Sequence, residues 1–255
     1  MALAIEQFTC RSDNFGVLIH DPKSGLTASI DAPEEGPIIA KLAENKWNLD
    51  HIFTTHHHGD HVEANLPLKQ AFNCRITGPS GEAAKIPGID EAVSQGDTIA
   101  FGDMSIEVIE TPGHTLGHIS YWIRSEKVAF VADTLFAMGC GRVFEGNAEM
   151  MWDSLEKLLT LPDETTIYCG HEYTLANARF ALTIEPENAD LVARAKEIEK
   201  LRENGMPTLP TTMEIERKTN PFLRVNEPAI RAGLGMTNAS PAEVFGEIRD
   251  RKDRF

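Results

Sequence analysis

Short runs of apolar and β-branched residues, separated by turn residues, occupy the first half of the chain at 15–20, 27–31, 49–54, 75–78, 105–110, 119–123 and 127–132. Runs of this length and composition predict strands. Helical periodicity falls between them at 37–46 and 62–72. A further helix is expected over 148–161, with Asn147 as cap and Met151, Leu155, Leu158 and Leu159 on one face. Strands interleaved with helices in this order predict mixed sheets covered by helices.

Beyond a strand at 167–169 the pattern changes. Segments 173–184 and 189–203 read as helices, followed by a connection rich in proline at Pro207, Pro210 and Pro221. A domain boundary is therefore expected near Thr174, dividing the chain into 1–173 and 174–255. Ser240, Pro241 and Glu243 form a capping box with proline at the first helical position, and Val244, Phe245 and Ile248 supply the apolar stripe of a last helix. No internal repeat or low-complexity tract is visible.

With 255 residues the chain can bury a full core without disulfide staples. Its first residues, MALAIEQFTCRSDNFG, lack a basic stretch followed by a long apolar run, and no later segment is long and apolar enough to span a bilayer. The expectation is a soluble, cytoplasmic monomer that engages no membrane. Cys10, Cys74, Cys140 and Cys169 lie far apart and form no CxxC pair, so they read as ordinary buried or half-buried thiols. A formal charge of -15 argues against a nucleic-acid partner, because nonspecific affinity for phosphates comes from clustered Lys and Arg. Two divalent ions would return positive charge locally, which keeps an anionic small-molecule substrate in play.

The chemistry concentrates in Thr54-Thr55-His56-His57-His58-Gly59-Asp60-His61, directly after an apolar strand. Alternate residues at an extended strand end point the same way, so His56 and His58 can converge on one ion while His57 points elsewhere. Gly59 is expected to permit a sharp turn that brings Asp60 and His61 to a second ion. Three more candidates follow strands: His114 in Thr111-Pro112-Gly113-His114, Asp133 after 128–132, and His171 in Gly170-His171-Glu172. A lone His or Asp after a strand is usually a turn or capping residue. Joined to the cluster, the three make a coherent count of three ligands per metal with one carboxylate able to bridge.

The run HHHGDH, followed by GHTLGH, the Asp of VADTLF and the His of GHEY, resembles the metallo-β-lactamase superfamily. Within it the chain resembles the hydroxyacylglutathione hydrolases, also called glyoxalase II, through Ser12-Asp13-Asn14-Phe15 and Asn220-Pro221-Phe222-Leu223-Arg224 as well. The resemblance implies an α+β fold: an αββα metallo-β-lactamase-like sandwich carrying the metals, then a C-terminal helical domain that helps bind glutathione. It assigns His56, His58 and His114 to one ion, Asp60, His61 and His171 to the other, and Asp133 to the bridge. Zinc is the first expectation, and iron or manganese suit the same ligands. It also implies that Arg142, Phe144, Tyr173, Arg249 and Lys252 hold the glutathione moiety. Phe144 stands where the family often has Tyr and Arg142 where it often has Lys. His118 reads as a supporting residue, and His20, His51 and His57 as ordinary histidines.

The implied reaction is hydrolysis of S-D-lactoylglutathione and other 2-hydroxyacylglutathiones to glutathione and a 2-hydroxy acid such as D-lactate, the second step of methylglyoxal detoxification. A bridging hydroxide is the expected nucleophile, with Asp60 and Asp133 as the catalytic carboxylates. The rival enzyme is a mononuclear iron glutathione persulfide dioxygenase, which needs only part of this ligand set. A noncatalytic metal- or glutathione-binding protein is the reading from another class.

Overall fold

The computed structural model describes residues 2–255. Its strands are β1 (Ala4–Cys10), β2 (Asn14–His20), β3 (Thr27–Ile30), β4 (His51–Phe53), β5 (Arg75–Pro79), β6 (Glu91–Val93), β7 (Thr98–Phe101), β8 (Met104–Glu110), β9 (Ile119–Ile123), β10 (Val128–Ala132), β11 (Leu135–Phe136), β12 (Gly139–Cys140), β13 (Thr166–Cys169) and β14 (Thr211–Thr212). Its helices are α1 (Glu35–Asn45), α2 (Gly59–Val62), α3 (Asn65–Phe72), α4 (Ala148–Leu158), α5 (Thr174–Ile184), α6 (Ala189–Glu203), α7 (Met213–Thr219), α8 (Pro228–Leu234) and α9 (Pro241–Arg254). The chain divides into two compact units, one running to Glu110 and including Thr115–Phe130, the other formed by Thr111–His114 and Val131–Phe255.

In the first unit, β1, β2 and β3 pair antiparallel, and β3, β4, β5 and β6 continue the sheet in parallel. Parallel neighbours require crossovers, which α1 provides between β3 and β4, α3 between β4 and β5, and the 3-10 segment Ser80–Lys85 between β5 and β6. Ile38 and Leu42 of α1 and Leu68 of α3 pack with Leu18, Ile52 and Ile76 of the sheet into one buried cluster. The opposite face of β4 meets a second sheet, in which β7, β8, β9 and β10 pair antiparallel. Phe53 lies 6.0 Å from Phe101 and 5.7 Å from Tyr121, and the Tyr121 hydroxyl donates to the Thr54 carbonyl at 2.7 Å. Those contacts fix the end of β4, from which the histidine cluster departs.

In the second unit, α5 and α6 pack around Met138, Ala178, Ala181, Leu191, Ala195 and Ile198. Phe222 lies 6.0 Å from Phe180 of α5 and 5.8 Å from Phe245 of α9. The capping box on α9 is present in both directions, and Asn147 caps α4 through the Met150 N–H. All four cysteines are buried and free, as their spacing suggested. Among the described residues no helix is long and apolar enough to cross a membrane.

The short strands β6, β7, β11, β12 and β14 and the helix α8 fall outside the predicted elements, and three further elements differ from the sequence reading. The helix expected over 62–72 is two, α2 and α3, because α2 begins earlier, at Gly59. β1 has no clean alternation, since it is an edge strand with mostly half-buried side chains. The proline-rich connection contains α7, whose buried face is Met213, Glu216 and Thr219. A helix with so polar a buried stripe lacks the apolar period that sequence patterns detect.

Candidate active site

β4 ends at Phe53, and the chain leaves it extended, so His56 is fully buried and His58 sits half-buried at the next like-facing position. His56 Nε2 lies 3.2 Å from His58 Nδ1. His57 turns the other way: its backbone N–H donates to Glu82 Oε2 at 2.8 Å and its Nδ1 lies 2.8 Å from the same oxygen. The turn after His58 is not the glycine-dependent one expected. Gly59 opens the one-turn helix α2, its φ is not positive, and a Cβ there would meet nothing within 4 Å. The helical turn itself presents Asp60 and His61.

Asp60 is held from behind by Asn14, whose side-chain amide donates to Asp60 Oδ2 at 3.0 Å and to its carbonyl at 3.2 Å. His61 Nδ1 lies 2.8 Å from Asp31 Oδ2, and Thr55 donates to the same carboxylate through its N–H at 2.7 Å and its hydroxyl at 2.8 Å. A carboxylate on Nδ1 places the proton there and leaves Nε2 with its lone pair, the form that ligates a metal. His56 Nδ1 is 3.0 Å from the Thr55 hydroxyl. His118, fully buried, stacks on His56 at 4.8 Å, the supporting position read for it from sequence.

In the second unit β10 ends at Ala132, whose carbonyl accepts from the Gly170 N–H at 3.3 Å, so the residues that follow these two strands are neighbours. Asp133 Oδ2 lies 3.4 Å from His171 Nε2 and 3.4 Å from His114 Nε2. The other His114 nitrogen, Nδ1, is 2.8 Å from the Arg142 carbonyl, which again leaves Nε2 as the ligating atom. The chain runs close here: a Cβ on Gly141 would overlap the Asp133 carbonyl oxygen and come within 3.2 Å of His114 Nδ1.

These separations fit a metal better than they fit hydrogen bonds. Two nitrogen or oxygen ligands on a tetrahedral ion, with bonds of about 2.0–2.1 Å, lie about 3.3 Å apart. The His56 to His58 spacing and both spacings to Asp133 fall near that value, and the donors are imidazole and carboxylate, which suit zinc, iron and manganese.

The residues expected to hold glutathione all lie in the second unit. Tyr173 stacks on His171 with centroids 4.7 Å apart and rings nearly parallel. Phe144 is 60% exposed and lies over His114 at 5.2 Å. Arg249 is buried: Nη1 donates to the Cys140 carbonyl at 3.0 Å and Nη2 to Asp253 at 2.9 Å. Lys252 donates to the Ala176 carbonyl at 3.0 Å and sits over the Phe180 and Phe255 rings. Burial, then the charge of Arg249, lowers its pKa to about 8. Arg142 is exposed.

The family model of the metallo-beta-lactamase superfamily matches residues 24–171, and that of the hydroxyacylglutathione hydrolase C-terminus matches 172–255. A hydroxyacylglutathione hydrolase of Mesorhizobium japonicum is 64% identical over the whole of both chains. The chain belongs to the hydroxyacylglutathione hydrolase family. A hydroxyacylglutathione hydrolase of Brucella ovis is 59% identical, with 99% of this chain and 98% of that one covered. Among solved structures, ETHE1 from Myxococcus xanthus superposes with a TM-score of 0.71 at 26% identity, covering 97% of this chain and 90% of its own. A metallo-beta-lactamase from Staphylococcus aureus gives 0.67 at 21% identity, covering 98% and 71% respectively, and so shares the fold.

Three supporting residues of this hydroxyacylglutathione hydrolase family member escaped the sequence reading. Asp31 and Glu82 lie 24 residues or more from the backbone groups they hold, and only tertiary structure brings them there. Asp31 takes a φ of +56°, which Asp tolerates better than most residues, but that conformation is visible only in the structure. Asn14 belonged to a quoted motif, but nothing in that motif pointed to Asp60.

Proposed function

We propose that the protein hydrolyses glutathione thioesters of 2-hydroxy acids, S-D-lactoylglutathione first among them, releasing glutathione and the acid. The observation that carries this reading is Asp133 between His114 and His171 at metal-ligand spacing, in a chain that belongs to the hydroxyacylglutathione hydrolase family over its whole length. His56, His58 and His114 would hold one divalent ion and Asp60, His61 and His171 the other, with Asp133 available to both. Zinc is the first expectation for both ions. Bound there, the two ions would supply a water activated near neutral pH and a Lewis acid for the thioester carbonyl.

The chain's own groups then orient and hold. Asp31 and the Arg142 carbonyl fix the tautomers of His61 and His114, and Asn14 fixes the rotamer of Asp60. Arg249, Lys252, Arg142 and Tyr173 bind the tripeptide, so that the scissile carbonyl is presented at a fixed distance. Phe144 offers an apolar face where a tyrosine would add a hydrogen bond. No acid is required at the leaving sulfur, because a thiol of pKa about 8.5 departs as thiolate near neutrality. Residues 1–173 form the catalytic domain and 174–255 the glutathione-binding domain. Four buried, unpaired thiols support a reducing compartment, the cytoplasm, and one chain carries every proposed ligand, which supports a monomer.

The test is a steady-state assay on several glutathione thioesters with metal content measured on the same sample. Turnover lost on chelation and restored by metal is expected. Oxygen consumption with glutathione persulfide, in place of thioester hydrolysis, would overturn the reading.

A further inference from the structure

Asp253 lies one turn beyond Arg249 on α9 and takes a hydrogen bond from Arg249 Nη2 at 2.9 Å. The same oxygen lies 3.9 Å from Nε of Arg142. One internal carboxylate therefore stands between two guanidinium groups proposed to bind the tripeptide, one of which, Arg249, is proposed to receive its glycine carboxylate. Its grip on Arg249 is partial. Nε and Nη2 form one edge of a guanidinium, the edge that can take a carboxylate with two parallel bonds. Asp253 occupies Nη2, while Nε is buried without a hydrogen-bond partner. The opposite nitrogen, Nη1, is committed to the Cys140 carbonyl at 3.0 Å, so the guanidinium cannot swing away to satisfy the free donor. Arg249 is almost wholly buried, whereas the Asp253 side chain is 42% exposed and at the solvent end of the last helical turn. The carboxylate is the partner free to move.

We infer that Asp253 is a displaceable internal counter-ion, which holds Arg249 in its binding geometry and is exchanged for the glycine carboxylate of glutathione when substrate binds. The inference rests on the proposed glutathione site and adds a specificity device to it. An anionic ligand must compete with a carboxylate already present. A neutral analogue would have to break the Asp253 bond and offer Arg249 no charge in return, so the exchange favours carboxylates. Product glutathione carries the same carboxylate and is released against the same competitor.

The experiment compares wild type, Asp253→Asn and Asp253→Glu on a glutathione thioester and on a thioester lacking the glycine residue, with glutathione affinity measured by calorimetry on the metal-loaded proteins. Asp253→Asn keeps the size of the side chain and removes the competing charge. For a partly exposed ion pair the gain should be modest: KM for the full thioester and Kd for glutathione both fall by about 2- to 5-fold. The gain should vanish on the truncated thioester, and Asp253→Glu, which retains a competing charge, should not reproduce it. A raised or unchanged Kd for glutathione in Asp253→Asn overturns the inference while leaving the site standing, since it would make Asp253 a scaffold for Arg249 or a bystander. A wild type that treats full and truncated thioesters alike, with no measurable glutathione binding, overturns the site and the inference together.

Discussion

His61 and Asp31 share a hydrogen bond of 2.8 Å between Nδ1 and Oδ2, at a point where Asp31 is itself held by both the N–H and the hydroxyl of Thr55. The bond makes Asp31 the residue that decides which nitrogen of His61 faces a metal. Asp31→Asn preserves the left-handed backbone conformation, which Asn tolerates, and removes the charge. Metal affinity should fall about 10- to 100-fold, read by competition against a chelator of known affinity. An unchanged affinity would show that Asp31 serves only the backbone of Thr55.

Protein purified without chelator should carry two metal ions per chain by elemental analysis. His171→Ala should lower that number, because His171 is proposed as a ligand of the second ion. A value near one in both proteins would defeat the binuclear reading.

Asp133→Asn should cost far more activity than His118→Ala. The carboxylate lies 3.4 Å from two imidazoles and is proposed to serve both ions, so losing its charge should disturb both, whereas His118 reaches the site only through the ring of His56. Loss of a supporting residue typically costs about 10- to 100-fold. Equal losses of kcat/KM in the two variants would mean that the roles are misassigned, provided circular dichroism shows both folded.

Removing Arg249 or Lys252 should raise KM for a glutathione thioester by about 10- to 100-fold, as expected when a charge-assisted contact of roughly 1.5–3 kcal/mol is lost far from the breaking bond. kcat should change much less. Lys252→Met is the cleaner variant, because Arg249 also supports the Cys140 carbonyl. Wild-type KM retained in Lys252→Met would remove the residue from the site.

The pH profile carries a sign. Lys252 binds a carboxylate only when protonated, and burial beside Arg249 and Arg142 lowers its pKa from 10.5 to about 8, against the opposing charge of Asp253. The binding form is therefore lost as pH rises through 8, so KM should climb there and not near 10.5. In Lys252→Met that rise should disappear, measured as KM from pH 6.5 to 9.5.

Gly141→Ala should lower both metal content and melting temperature, because the added methyl would overlap the Asp133 carbonyl oxygen and crowd His114, forcing backbone to move. Metal content and a thermal melt separate the two effects.

The longer strands and helices were written in the sequence because they depend on local rules: apolar runs bounded by turns, an Asn cap at 147, a capping box at 240 and 243. Strands β6, β7, β11, β12 and β14 and the helix α8 were too short to carry a period of their own. The seven candidate ligands could be picked out because metal chemistry restricts the residue types and most of them lie just past strand ends, whereas the helical turn that presents Asp60 and His61 could not be read from the sequence. Other features depended on partners distant along the chain. Asp31 and Glu82 act on residues more than 20 positions away, and an isolated Asp or Glu in a sequence names no partner. The helix over 213–219 was hidden because its buried Glu216 accepts from Met138, Thr211 and Asn220. Polarity usually marks a surface, and only the fold brings together the donors that allow a carboxylate inside. The pairing of Asp253 with Arg249 lies between. Their spacing of four residues was visible all along, but whether a carboxylate at that position meets solvent or a buried arginine is set by how α9 packs, through Val244, Phe245 and Ile248, against the rest of its unit.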